Sequence, residues 1–326
     1  MRGIDLAKFK FDWDLTFSVL LMHPNGKVYH RFGGRNAKDP QSWISMPALV
    51  RLMKLTLTEH QAFKLNPQYA PPKKVTISDY RAYKHGKPNS CVRCHQVCDA
   101  EQTQLKADGK WSLESIWKYP DPKQVGLTFD PLWQNTLTDT SLFAKKAGLK
   151  KGDVIVEANQ QKILSITDMM YVLEHVPNTQ TELDITAKRG DKLAKLKIPL
   201  TAKWKNVDPM EYAWRHTMWG ISPSPGFGGN KLDAAALKAN GLKADSYAFK
   251  VRYMVTWGEN AHRGRNAQKA GIRKGDIVYA TNGKSDFPSG KHFHAWFRFN
   301  HKVGEDVKFN ILRNGQRKVV TMKTVK

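Results

Sequence analysis

The first apolar run covers residues 15–22, and an alternating apolar and polar run follows over 27–32. Between them stands His23-Pro24-Asn25-Gly26. Asn-Gly supplies the positive φ of a tight turn, so the two runs predict a β-hairpin. Gly33-Gly34 ends the second strand. Ser45 before Met46-Pro47 predicts a helix start, with Pro tolerated in the first turn. Leu49, Leu52, Met53, Leu55 and Leu57 continue that helix at mixed spacing. Pro71-Pro72 and Pro120-Asp121-Pro122 bracket a connector over 71–122, with a short helix expected over 112–117.

The rest of the chain repeats itself. Ala147-Gly148-Leu149-Lys150-Lys151-Gly152-Asp153-Val154-Ile155 returns as Ala270-Gly271-Ile272-Arg273-Lys274-Gly275-Asp276-Ile277-Val278, with Asn159 and Asn282 after the respective copies. A helical stretch and two strands then follow, over 165–175, 181–188 and 192–200 in the first copy and 291–299, 306–313 and 316–324 in the second. Ala-Gly closes a short helix with a left-handed cap, Gly-Asp turns the chain, and the β-branched run reads as a buried strand. This motif resembles that of bacterial PDZ domains, as in the high-temperature-requirement proteases. The resemblance implies two PDZ-like β-barrel or sandwich domains with flanking helices, at 123–203 and 204–326, the second with a Gly/Pro-rich insertion at 223–229. The nucleophile segment of those proteases has no counterpart, because Gly226-Phe227-Gly228-Gly229-Asn230 lacks the serine. No protease activity is expected.

The order of strand, Asn-Gly turn, strand, Gly-Gly and helix over 1–70 resembles the C-terminal half of a thioredoxin fold. The half that bears that family's Cys-x-x-Cys is absent, and no Pro stands near Asp14-Leu15-Thr16, where its cis-proline would fall. Thioredoxin-type exchange therefore does not carry over. Half a fold leaves a sheet edge unpaired, which a preceding segment or a partner is expected to complete. The expected architecture is multidomain α+β: a partial thioredoxin-like α/β module, a connector, and two PDZ-like domains.

The length of 326 residues fits two or three such domains. Lys and Arg number 53 against 29 Asp and Glu, a formal charge of +24 that attracts nucleic acid, an anionic membrane surface or acidic proteins. The basic residues are spread along the chain without a nucleic-acid-binding signature, so a solvated cationic surface is expected. No run reaches the roughly 18 apolar residues of a membrane helix. Asp5, Asp12 and Asp14 interrupt any signal-peptide pattern at the start.

The only cysteines are Cys91, Cys94 and Cys98, which excludes a disulfide framework. Cys91-Val92-Arg93-Cys94-His95 matches the attachment pattern of c-type haem, in which two thiols take the vinyl groups and the adjacent His ligates iron. On that reading Cys91, Cys94 and His95 hold the haem. His85, His216 and Met218 are candidates for the second axial position. Tyr83, Trp111, Trp117 and Tyr119 would wall the macrocycle or simply pack. Haem attachment implies a periplasmic or otherwise extracytoplasmic protein with a redox partner. Two other chemistries stay open: Zn or Cu on Cys91, Cys94 and Cys98 with His95 or His85, and a Cys91–Cys94 redox pair resolved by Cys98. His292, His294 and His301 are a weaker metal candidate.

The PDZ resemblance also implies grooves in which a peptide adds as a strand, its carboxylate meeting the N–H groups of a Gly loop. Val125, Gly126 and Leu127 form that loop in the first copy, and Trp219, Gly220 and Ile221 in the second. The facing walls are Met169, Met170 and Leu173, then His292, Phe293 and Trp296. If neighbouring segments close the grooves, these residues only pack. Two functions follow. One is a haem-c-bearing electron-transfer or redox-sensing protein that docks partners through PDZ domains. The other is a non-enzymatic peptide-binding adaptor whose cysteine cluster is structural or holds Zn or Cu.

Overall fold

The computed structural model describes residues 3–15, 17–64, 72–84, 91–179 and 181–326. The chain is mixed α/β with several sheets, and it divides into two compact units, Met1–Val207 and Asp208–Lys326. No helix among the described residues is long and apolar enough to cross a membrane.

The first unit opens with the hairpin β1 (Ser18–Met22) and β2 (Val28–Gly33). Its turn is wider than a two-residue Asn-Gly turn. Only Gly26 takes a positive φ there (+96°), its N–H donates to the His23 carbonyl at 2.8 Å, and the pairing slips between Leu21 and Met22. An αL glycine after a tighter turn is the usual solution for such a loop. Ser45 caps α1 (Met46–Ala62), its hydroxyl accepting the Ala48 N–H at 3.2 Å. The connector holds a helix that no hydrophobic period announced, α2 (His95–Ala107). It buries Val97 and Ala100 against Leu6, Trp13 and Ile77. The short helix expected over 112–117 is a single 3₁₀ turn, Leu113–Ile116.

The first repeat follows: β3 (Leu127–Phe129), β4 (Leu137–Thr140), α3 (Leu142–Lys146), β5 (Val154–Ala158), β6 (Gln161–Lys162), α4 (Ile166–His175), β7 (Glu182–Arg189) and β8 (Lys192–Pro199). β3 pairs with β4, and the second sheet runs β6-β5-β7-β8. The second unit has α5 (Pro209–Tyr212), β9 (Phe227–Lys231), α6 (Ala234–Ala239), β10 (Phe249–Met254), α7 (Ala261–Ala270), β11 (Ile277–Thr281), α8 (Gly290–Asn300), β12 (Asp306–Arg313) and β13 (Gln316–Lys323). Its five strands form one antiparallel sheet, β13-β12-β11-β10-β9.

The two repeats share a hydrogen-bond skeleton. In the first, Arg189 grips Asp153 with Nε to Oδ1 and Nη2 to Oδ2, both at 2.7 Å, and Nη2 also reaches the Gly148 carbonyl at 2.9 Å. In the second, Arg313 grips Asp276 with two bonds of 2.8 Å, and Nη2 reaches the Gly271 carbonyl at 2.6 Å. Each carboxylate also accepts one backbone N–H, from Lys150 or from Arg273. The Gly-Asp pair of the motif is thus a clamp. It joins the turn before the repeat's central strand to the end of the strand that pairs with it. Asn159 and Asn282 make a second shared tie. Their side chains accept the Asp184 and Lys308 N–H groups at 3.0 and 2.9 Å.

Asp153 has almost no exposed surface, and the Arg189 hydrogen bonds hold its carboxyl below the usual range against the cost of burial. A depressed carboxyl stabilises the fold above the unfolded value near pH 4, and that contribution is lost as pH falls through the folded value. We expect Asp153→Ala to cost about 2 kcal/mol, because it removes the two Arg189 bonds and leaves the Lys150 N–H without its acceptor. Chemical denaturation at pH 7 and at pH 3 checks this: the gap between wild type and variant should shrink at pH 3.

Candidate peptide grooves and cysteine site

The groove of the first repeat runs between the edge strand β3 and the start of α4. β3 pairs only with β4 among the described residues, so its other edge carries no strand. Along that edge lies a cavity of about 180 Å³, lined by Leu127, Thr128, Phe129, Trp43, Lys123 and Ile166 among others. The chain itself furnishes part of the lining. Trp43 belongs to the core of this repeat, and its carbonyl accepts the Gln134 amide at 2.9 Å. The helix wall is taken as well. Met169, Met170 and Leu173 are fully buried. A Cβ on Gly34 would meet Met170 Sδ and the Trp43 ring. The wall expected to face a peptide therefore faces the segment after β2.

The loop before β3 is a 3₁₀ turn, Pro122–Val125, capped by Gly126 at φ +84°. The Gly126 N–H closes that turn on the Lys123 carbonyl at 3.0 Å, and its carbonyl accepts the Ser141 N–H at 3.0 Å. A Cβ here would overlap the Ser141 carbonyl oxygen, so the position requires glycine. Val125 and Leu127 are buried in the core. Of the three expected loop residues, Gly126 thus spends its N–H within the loop.

In the second repeat the counterpart of Gly126 is Gly226. It has φ +73°, and its carbonyl accepts the Val255 N–H at 2.8 Å, as Gly126 does with Ser141. The stretch 223–229 is therefore not an insertion; it holds the loop and the start of β9. Glycine density hid the strand. Gly228 sits against the Tyr253 hydroxyl, and a Cβ on Gly229 would overlap the Lys250 carbonyl. Trp219, Gly220 and Ile221 lie upstream, at the end of the 3₁₀ turn His216–Gly220 and just beyond it. Across this groove the Lys231 ammonium reaches the Pro288 carbonyl at 3.3 Å, and Phe227, Phe249, Phe293 and Phe297 fill the interior. His292 bonds Ser289 at 2.8 Å, Trp296 packs on Phe287, and His301 bonds the Phe297 carbonyl and Asn282.

The cysteines lie at the start of α2. Cys91 is exposed, Cys94 occupies the cap position, His95 is the first helical residue, and Cys98 follows one turn later. Cys94 and Cys98 pack against the cluster of Trp13, Ile77 and Val97, beside Tyr80 and Tyr83. The face that carries Cys98 is ionic. Tyr80 donates to Glu101 at 3.2 Å, and Lys118 lies 3.5 Å from Glu174. Burial pushes the Glu101 carboxyl up, while Glu174, Glu101 and Cys98 overcome burial to raise Lys118. Among the described residues, no three of His, Cys, Asp and Glu stand together as a metal-binding group. That holds for Cys91, Cys94 and Cys98 as expected ligands. His85 lies outside the described residues. His216 and Met218 belong to the second unit, where Met218 is fully buried.

One buried group escaped the sequence reading. His30 on β2 is fully buried between two carboxylates, Asp168 on α4 at 2.7 Å and Glu59 on α1 at 3.0 Å. Lys162 on β6 holds Glu59 in turn at 2.5 Å. Asp168 also accepts the Arg31 N–H at 2.9 Å, and the Thr167 hydroxyl donates to the Gly33 carbonyl. Together these contacts tie the hairpin to α4.

No protein-family profile and no curated protein matches the chain. Among solved structures it is similar to the HtrA-type protease AlgW. One structure, of a variant with a decapeptide, shows 13% identity over 58% of this chain and 54% of that one, with a TM-score of 0.30. A second, also with a decapeptide, shows 12% identity over 54% and 49%, with a TM-score of 0.27. The chain spans about half the length of these proteins.

Burial alone would lower the His30 pKa, but the hydrogen bonds and charges of Asp168 and Glu59 outweigh it and raise it. A raised His pKa gives stability that is complete below the unfolded value near 6.5 and is lost as pH rises through the folded value. We expect the stability of wild type to fall above about pH 6.5 and that slope to be absent in His30→Gln. Urea denaturation from pH 5.5 to 9 measures both.

Proposed function

We propose that the chain is a non-enzymatic peptide-binding protein of PDZ-like build, whose first repeat takes an extended segment along β3. The cavity beside the unpaired β3 edge carries this reading. An added strand satisfies the open N–H and C=O groups of the edge, and alternate side chains enter the space beside Trp43 and Ile166. The internal use of the Gly126 N–H favours an internal or side-chain-anchored segment over a terminal carboxylate. Lys123 at the rim and the overall charge of +24 favour acidic flanks.

A second proposal is that Cys91 and Cys94 carry a c-type haem with His95 as axial ligand, in an extracytoplasmic protein. The observation that favours it is local. Cys91 is exposed just ahead of α2, Cys94 is at the helix cap beside Trp13 and Tyr83, and His95 is in the first turn. Haem bound there would supply one-electron transfer. In that case α2 orients His95, and the cluster around Val97 excludes water from one side.

For the groove, selection of random decapeptides displayed on phage should enrich sequences that bind wild type, and Thr128→Arg should weaken that binding about tenfold or more at unchanged Tm. No enrichment, or equal binding by the variant, refutes the groove reading. For the cysteine site, a pyridine haemochrome should stay with the denatured chain after expression in a cytochrome-maturation strain. Protein that emerges from that strain without it, its thiols free by mass spectrometry, refutes the haem reading.

A further inference from the structure

The two repeats differ by a reversed charge at one helical position. The connection from Asn159 to the helix cap Ser165 spans 160–164, and that from Asn282 to Ser289 spans 283–288, so α8 keeps the phase of α4 with one added residue before it. Ser165, Met169 and Leu173 thus correspond to Ser289, Phe293 and Phe297. Glu174 corresponds to Arg298. Glu174 is fully matched, accepting the Tyr119 N–H at 2.7 Å with Lys118 at 3.5 Å. Arg298 is not. It is 7% exposed, its Nη1 donates to the Ile221 carbonyl, and its Nε has no hydrogen-bond partner.

One turn back on α8, the buried Nδ1 of His294 also has no partner. Both residues lie against the half-exposed Trp219 ring, at 5.1 and 5.2 Å. The charges that act on Arg298 are another guanidinium, Arg263, and the phenol of Tyr253; no carboxylate among the described residues contributes. Arg263 is itself held by the Ser222 hydroxyl at 3.0 Å and the Lys326 carbonyl at 3.0 Å. Burial and Arg263 push the Arg298 guanidinium down to about 9, which leaves it charged at neutral pH. Burial and Arg298 push His294 down to about 3, which leaves it neutral and able to donate from one ring nitrogen. A buried cation beside a second cation, without an acid, is a large uncompensated cost.

We propose that Arg298, with His294 and Arg263, forms an oxyanion site in the second unit, for a carboxylate or phosphate group beside the exposed rings of Trp219 and Tyr253. The buried, unpartnered Nε of Arg298 and, in its Nδ1–H tautomer, Nδ1 of His294 supply two donors, and the planar guanidinium suits the paired oxygens of either anion. The site is independent of the β3 groove.

The test is calorimetric titration of the whole chain, in chloride at constant ionic strength, with inorganic phosphate and separately with acetate. We expect saturable binding of at least one anion. Arg298→Met should weaken it about tenfold or more, while the anion-free Tm of the variant equals or exceeds that of wild type, because an unpaired buried charge is gone. Arg263→Met, at a half-buried position, should weaken the same binding several-fold and guards against misfolding of the first variant. Saturation by phosphate alone assigns a phosphate source, and by acetate a carboxylate source. No saturable heat with either anion, or unchanged affinity in a folded Arg298→Met or Arg263→Met, overturns the proposal.

Discussion

One buried carboxylate holds the first unit's design together. Asp168 accepts the His30 imidazole and the Arg31 N–H from β2 and the Leu164 N–H from its own loop, and its N–H is capped by Ser165. A carboxylate with no exposed surface is tolerable only when its lone pairs are filled this way. Filling them requires β2 to lie on α4, and that placement brings Gly34 and Trp43 onto the helix wall. The form of the groove, a cavity along one strand edge instead of an open trough, follows from that single tie.

The second repeat spends its helix differently. Where Asp168 stands in the first, His292 stands in the second, bonded to the neighbouring Ser289. Phenylalanines occupy the interior, and Phe293 and Phe297 replace Met169 and Leu173. The clamp of Asp276 and Arg313 is kept, as are the Asn282 tie and the register of the central strands. The conserved geometry thus lies in the scaffold that sets strand pairing. The groove faces are where the two copies part.

Much of the scaffold was legible in the chain because it rests on local rules. The Ala-Gly caps, the Gly-Asp turns and the alternating strands after each helix are short-range signals, and both repeats show elements at those places. The glycine-rich β9 was not legible, since Pro and Gly ordinarily mark loops, and it takes the close approach of the Lys250 backbone and the Tyr253 hydroxyl to explain the two glycines. The helix α2 carries few apolar residues in phase, so its period is faint. At the site level, the cysteine motif was visible as a spacing, but its surroundings are set by Leu6, Trp13 and Ile77, distant in sequence. Asp168 lies within the helical stretch over 165–175, and nothing in its spacing announces the bond to His30, 138 positions away. Arg298 becomes notable only when the repeats are aligned through their helix caps and Glu174 is found opposite.

Between the Asn tie and the groove helix the second copy has one residue more, which falls ahead of α8 and leaves the helix itself unshifted. Each side chain on one groove helix therefore has one counterpart on the other. The pair behaves like two sockets with identical pin spacing. Exchanging side chains between α4 and α8 is thus one-for-one and needs no new loop, but Asp168 moved onto α8 would leave behind the β2 groups that fill its lone pairs.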